Sequence, residues 1–192
     1  GGGAERFTSK GRKDKLNLID SLAKRGYAVV YSQDELSKCE SEKIFGLFAE
    51  GHLPEASKRG GVMQQYMLKA LEQLDKNPNG FFMMLEGSRI DMEAHLNKYD
   101  AMVEETLDFD RCVAIALDFA KRKGNTLVVV TADHETGGLT LPAKGSKTQD
   151  KWTTLNHTGV PVPIYSFGPG AENFTRVMQN TDIFFEIYKL MK

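Results

Sequence analysis

Residues 86–95 read EGSRIDMEAH and bring Glu86, Asp91, Glu93 and His95 into one short stretch. A second dense patch, TADHETGG at 131–138, holds Asp133, His134 and Glu135. Carboxylate and imidazole donors without thiolates suit zinc at a catalytic site, and the carboxylates can also serve magnesium. Asp91 and His95 are four apart, so a helix sets them on one face, where they can hold one ion between them. Taken alone, an acidic–His pair at this spacing is common on helices, and a solvent-facing Asp91 and Glu93 is the simpler reading. TADHETGG is harder to dismiss. An adjacent Asp-His at the end of an apolar run, followed by paired glycines, gives the backbone no ordinary need for either charged group. The chain has only four histidines, His52, His95, His134 and His157. His157 precedes another apolar run in NHTGVPVPIYSFGP, whereas His52 in AEGHLP stands before a proline and fits a turn.

These groups need elements to position them. Leu16, Ile19 and Leu22 mark a helix over 14–25, ended by Gly26, and YAVVYS follows as a strand. SQDELSK reads as a helix start capped by Ser32, with Glu35 three residues on. KIFGLFAEGHLP reads as a short strand ending in a turn, and 62–75 as a helix. GFFMMLE is almost continuously apolar, as expected of a strand covered on both faces, and delivers Glu86 at its carboxyl end. A helix is expected from about Asp91, and a long amphipathic one from Ala101 to Lys121, closed by KRKGN. TLVVVTAD is a second apolar strand, ending on Asp133 and His134. VPIYSFGP is a third, and TDIFFEIYKLMK closes the chain as a helix with a Thr or Asp cap. Strands alternate with helices, which predicts a layered α/β fold with a largely parallel sheet, whose chemistry gathers at strand carboxyl ends.

The bulk composition excludes several classes. The 192 residues suit one domain with room for a small insertion, and the 41% hydrophobic content is far from that of a disordered chain. A net charge of −1 gives no whole-chain field for nucleic acid or an anionic membrane, so any anion site must be built locally. The apolar runs are too short to span a bilayer, and GGGAERFTSKGRK has no signal-peptide core. Cys39 and Cys112 are too few for a disulfide framework or a thiolate zinc site, and Cys112, among Val113, Ile115 and Ala116, reads as a small buried hydrophobe.

In this order, EGSRIDMEAH, DFAKRKGNTLVVVTADHETGG and HTG before a strand resemble the alkaline phosphatase family. GLFAEGHLP, FGPGAENF and the closing NTDIFFEIYK resemble it too, so the likeness runs from GGG to the terminal helix. TADHETGG is highly specific, and EGSRID and HTG become strong in this order. The resemblance implies a two-zinc, one-magnesium hydrolase of phosphate monoesters. By motif position, Asp91, His95 and His157 are the expected ligands of the first zinc, Asp133 and His134 of the second, and Glu86 of the magnesium. In the family a serine attacks phosphorus, and a zinc-bound water then hydrolyses the phosphoserine, which is a two-metal clamp on an in-line displacement.

The chain departs from that pattern at the nucleophile, which in the family stands in an Asp-Ser-Ala context. The one Asp-Ser pair here, Asp20-Ser21, is followed by Leu22 inside an amphipathic helix and reads as structural. Ser88 matches a family position that is not the nucleophile. The family's phosphate-gripping arginine, the aspartate shared by the second zinc and magnesium, and the remaining magnesium ligands belong upstream of GGG. Residues 1–192 are therefore expected to be the C-terminal part of an alkaline phosphatase-like domain, a layered sandwich with a largely parallel central sheet flanked by helices, but incomplete. The nucleophile is expected in a missing N-terminal part of the same protein, and little or no activity from this chain alone. Residues 139–157 are expected to form only a short excursion. The family also implies a homodimer and a periplasmic or secreted location, with neither nucleic acid nor membrane as partner. Two other readings stand beside this one. A non-catalytic zinc-binding module would be told apart by the absence of Asp-Ser-Ala upstream of Gly1. Another hydrolase or mutase of the same metalloenzyme superfamily is opposed by TADHETGG together with HTG.

Overall fold

The computed structural model describes residues 1–141 and 151–191, so the middle of the expected excursion, 142–150, lies outside the described residues. The chain divides into two compact units, Gly1–Leu85 and Glu86–Lys192.

The first unit contains helix α1 (Leu18–Lys24), strand β1 (Ala28–Val30), helix α2 (Gln33–Lys38), strand β2 (Ile44–Gly46) and helices α3 (Ala56–Arg59) and α4 (Val62–Leu74). β1 and β2 pair in parallel, with Ala28 opposite Ile44 and Val30 opposite Gly46. A parallel pair needs a crossover, and α2 supplies it. Its start is fixed locally. The Ser32 hydroxyl accepts from the Glu35 N–H at 3.1 Å, and the Glu35 carboxylate accepts from the Tyr31 N–H at 2.7 Å. On α4, Met63, Met67 and Leu71 recur every four residues and are buried as one stripe, with Val30, Leu36 and Leu47 also in the unit's core. The Phe48 and Tyr66 rings stack with centroids 4.0 Å apart.

The second unit holds α5 (Arg89–His95), α6 (Tyr99–Lys123), β3 (Val128–Thr131), β4 (Glu135–Thr136), β5 (His157–Thr158), β6 (Ile164–Phe167) and α7 (Asn180–Leu190). α6 buries Cys112, Phe119 and Ala120, so Cys112 is the buried hydrophobe expected of it. It ends where KRKGN predicts. Gly124 turns left-handed at φ +74° and its N–H donates to the Ala120 carbonyl at 2.8 Å. A Cβ at Gly124 would meet open space, so the cost of Gly124→Ala is backbone strain alone. The substitution is expected to lower stability by about 1–2 kcal/mol, read as a drop in the urea midpoint. At α7 the expected Thr or Asp cap is displaced outward. The helix starts at Asn180, and Asp182 reaches back to accept from the Gln179 N–H at 3.1 Å.

Two sheet expectations differ from the pairing among the described residues. The described residues form three separate two-stranded pairs, of which only β1–β2 is parallel, while β3–β6 and β4–β5 are antiparallel. The largely parallel central sheet is therefore not seen among them. Between β3 and β6 the described chain forms the short β4–β5 pair and no crossover helix, so β6 returns antiparallel beside β3. The segment GFFMMLE, expected as a strand covered on both faces, belongs to no strand among the described residues. Phe82 and Met84 are exposed, Met84 at 77%, whereas Phe81, Met83 and Leu85 are half-buried. The period-two alternation of a strand is present, with one face uncovered.

Candidate metal centre

α5 presents two i, i+4 pairs on opposite sides, because two residues advance a helix by about 200°. Arg89 and Glu93 form one pair. The Arg89 guanidinium lies 2.6 Å from the Glu93 carboxylate and 3.3 Å from Glu105 of α6, and both acids are only 3% exposed. Lys98 Nζ lies 3.8 Å from Glu93. Glu93 therefore neither faces solvent nor joins the ligand cluster, since it ties α5 to α6. The other pair, Asp91 and His95, is left pointing away from that seam.

The β4–β5 pair brings His157 to them. Thr136 stands opposite His157, and Glu135 opposite Thr158. His95 Nε2 is 3.1 Å from His157 Nε2 and 3.3 Å from Asp91 Oδ1, and His157 Nε2 is 3.6 Å from the same oxygen. A tetrahedral zinc with ligands at about 2.0–2.1 Å has edges of about 3.3–3.4 Å between them. The three distances match such edges. His95 Nδ1 lies 2.5 Å from the Leu155 carbonyl oxygen, which can only accept, so Nδ1 carries the proton and Nε2 offers a lone pair to the cluster. Two imidazole nitrogens and a carboxylate oxygen crowded this closely need a proton or a cation among them, and the donor set fits a metal ion. Among the described residues, these are the carboxylate and imidazole groups that could share one ion. Asp91 and His95 are half-buried and His157 is exposed, so the cluster opens to solvent.

His134 lies alongside. Its ring stacks on His157 with centroids 3.5 Å apart and an interplanar angle of 22°. Its Nε2 is 3.1 Å from Asp133 Oδ2, so the second expected ligand pair is adjacent within itself, although Asp133 is 82% exposed. Glu86 is exposed. Among the described residues it forms neither a hydrogen bond nor an ion pair with the cluster, so the structure does not bring it in. Ser21 lies in α1 with its hydroxyl 3.5 Å from the Asn17 carbonyl, as a structural residue would, and His52 is exposed in a bend.

Sequence reasoning missed Thr136. Its hydroxyl donates to Asp91 Oδ1 at 2.5 Å and lies 3.3 Å from His134 Nδ1, linking the two groups of expected ligands. The signal was available, since residues 134 and 136 share a face in extended chain. The paired glycines also acquire a reason. Gly137 is left-handed at φ +90°, and a Cβ there would run into the Trp152 ring. That close approach lets 152–156 fold back, with the Thr153 N–H donating to the Gly137 carbonyl and the Gly137 N–H to the Asn156 carbonyl, each at 3.0 Å.

A family model described as alkaline phosphatase matches residues 1–148. The chain is 30% identical over 265 residues to alkaline phosphatase 4 of Bacillus subtilis (strain 168), a match covering 100% of this chain and 57% of that protein. It is 34% identical to alkaline phosphatase H of Pseudomonas aeruginosa (strain UCBPP-PA14), covering 100% of this chain and 51% of that one. Among solved structures, the alkaline phosphatase from the Antarctic bacterium TAB5 superposes with a TM-score of 0.90 at 36% identity, over 100% of this chain and 59% of that one. A mutant of that enzyme, with Mg bound in its M3 site, matches equally well at a TM-score of 0.90. The chain thus spans little more than half the length of the relatives it matches.

Proposed function

Because the chain belongs to the alkaline phosphatase family, we propose that the whole protein hydrolyses phosphate monoesters at a centre to which this chain contributes metal ligands. Asp91, His95 and His157 hold one zinc in this reading, Asp133 and His134 contribute to a second, and Glu86 to a magnesium. The observation that carries it is the convergence of His95 Nε2, His157 Nε2 and Asp91 Oδ1 at 3.1–3.6 Å. Bound zinc would supply a Lewis acid for phosphoryl oxygens and lower the pKa of water toward ~7. The chain's own residues do the positioning. Leu155 fixes the His95 tautomer, Thr136 holds Asp91 against His134, and the Arg89 seam seats α5.

The serine nucleophile and the groups that grip phosphate lie, in this reading, in a further part of the same protein. The layered sandwich with a parallel central sheet belongs to that whole, and the uncovered face of 81–87 and the TAB5 likeness support it. A homodimer and a periplasmic or secreted location belong to this reading only as what the family resemblance implies. No helix among the described residues is long and apolar enough to cross a membrane.

The test is p-nitrophenyl phosphate hydrolysis at alkaline pH with zinc and magnesium, run on the whole protein and on residues 1–192. The whole protein is expected to turn over and to lose at least about 100-fold in kcat/KM with His157→Ala, as loss of a group stabilising the transition state requires. Residues 1–192 are expected to be inert or nearly so. Turnover by 1–192 at an enzymatic rate, abolished by His157→Ala, would place the nucleophile inside this chain.

A further inference from the structure

Glu135 is the one charged residue of TADHETGG that the proposed ligation leaves without a role. Its side chain is half-buried and alternates away from His134, so it does not face the cluster. Its carboxylate is nonetheless fully engaged. The Gly138 N–H donates to it at 2.9 Å and 3.2 Å, to Oε1 and Oε2 respectively, and the Thr158 hydroxyl donates to Oε2. Thr158 is the residue directly opposite Glu135 in the β4–β5 register, and it follows His157 in sequence. A ladder two residues long has little stability of its own. Charge-assisted bonds to one carboxylate are about twice as strong as neutral ones.

We propose that Glu135 is a positioning residue, whose bond to Thr158 clips β5 onto β4 and so holds His157 within reach of Asp91 and His95 and stacked on His134. The clip acts from both ends. Gly138 anchors the carboxylate to the turn that follows β4, and Thr158 anchors β5 to the carboxylate. Without it, His157 keeps its chemistry but not its place. The functional consequence rests on the zinc reading above, whereas the clip itself rests on geometry that needs no metal.

The experiment uses residues 1–192 with zinc alone as the probe, and three variants: Glu135→Ala, the isosteric Thr158→Val, and Thr158→Ser, which keeps the hydroxyl. Zinc affinity is measured by chelator competition under conditions where circular dichroism shows each variant folded. The His134–His157 ring contact is measured by NMR on the metal-free chain. Glu135→Ala and Thr158→Val are expected to weaken zinc by about 10- to 100-fold, the range for groups that orient a ligand. Both are expected to lose the ring contact, while Thr158→Ser retains the wild-type behaviour in both measurements. If Thr158→Val binds zinc like wild type and keeps the ring contact, the proposal is overturned, whether or not Glu135→Ala folds. If the wild type binds no zinc, the ligation reading falls separately, and the ring contact alone decides the clip.

Discussion

Replacing His157 by alanine is expected to lower the zinc affinity of this chain by about 100-fold or more. Structural zinc sites with four ligands bind with about 10–16 kcal/mol at neutral pH, so one ligand contributes roughly 3 kcal/mol, about two decades. Among the described residues, no fourth carboxylate or imidazole joins the Asp91, His95 and His157 group. Thr136 is committed to Asp91, His95 Nδ1 faces the Leu155 carbonyl, and Glu86 forms no bond to the cluster among the described residues. The side chain of His157 is exposed and its strand pairs through the backbone, so the fold should survive the change. His52→Ala, in an exposed bend of the other unit, is the control and should leave the affinity unchanged. Chelator competition at neutral pH measures both, and an equal loss in the two variants would show that zinc binds nonspecifically.

The second large effect is on stability. Arg89→Ala removes the guanidinium that lies against both Glu93 and Glu105, each 3% exposed, at the α5–α6 seam. Lys98 stays 3.8 Å from Glu93. Removing one partner of a buried ion pair costs about 3–5 kcal/mol, because the remaining charge has lost its solvation and its counter-ion. Urea denaturation followed by circular dichroism should show that loss as a fall in midpoint without a change in slope. The same principle predicts that Arg89→Met combined with Glu93→Leu and Glu105→Leu costs much less than Arg89→Ala, since apolar groups of similar volume can replace a buried ion cluster. A triple variant as unstable as Arg89→Ala would mean that packing, and not uncompensated charge, sets the cost.

Local patterns in the sequence carried through where neighbours within a few residues decide the outcome. The Ser32 and Glu35 start of α2, the four-residue spacing of Met63, Met67 and Leu71, and the Gly124 end of α6 all depend on short-range chemistry and appear as expected. Strand direction does not work that way. TLVVVTAD and VPIYSFGP were legible as strands, but whether they run parallel depends on what lies between them in space, and the described residues there form the two-residue β4–β5 pair and no crossover helix. GFFMMLE has the composition of a doubly covered strand, yet composition cannot name the partners, and here one face is open. The closeness of Asp91, His95 and His157 was legible for a related reason. Asp91 and His95 share a helix face by spacing alone, and HTG places His157 before a strand, but their meeting is a tertiary event made by the β4–β5 register. Glu93 was misplaced toward solvent because its burial is set by Arg89 and by Glu105, which is twelve residues downstream of it. The helical offset that separates 89 and 93 from 91 and 95 could have indicated it.

Zinc-edge X-ray absorption on residues 1–192 loaded with one equivalent of zinc reads directly whether Asp91, His95 and His157 hold the ion. Two histidine rings and at least one carboxylate oxygen are expected at about 2.0–2.1 Å, with one ring lost in His157→Ala. A sulfur scatterer at about 2.3 Å, pointing to Cys39 or Cys112, or a spectrum unchanged by His157→Ala, would contradict that ligation.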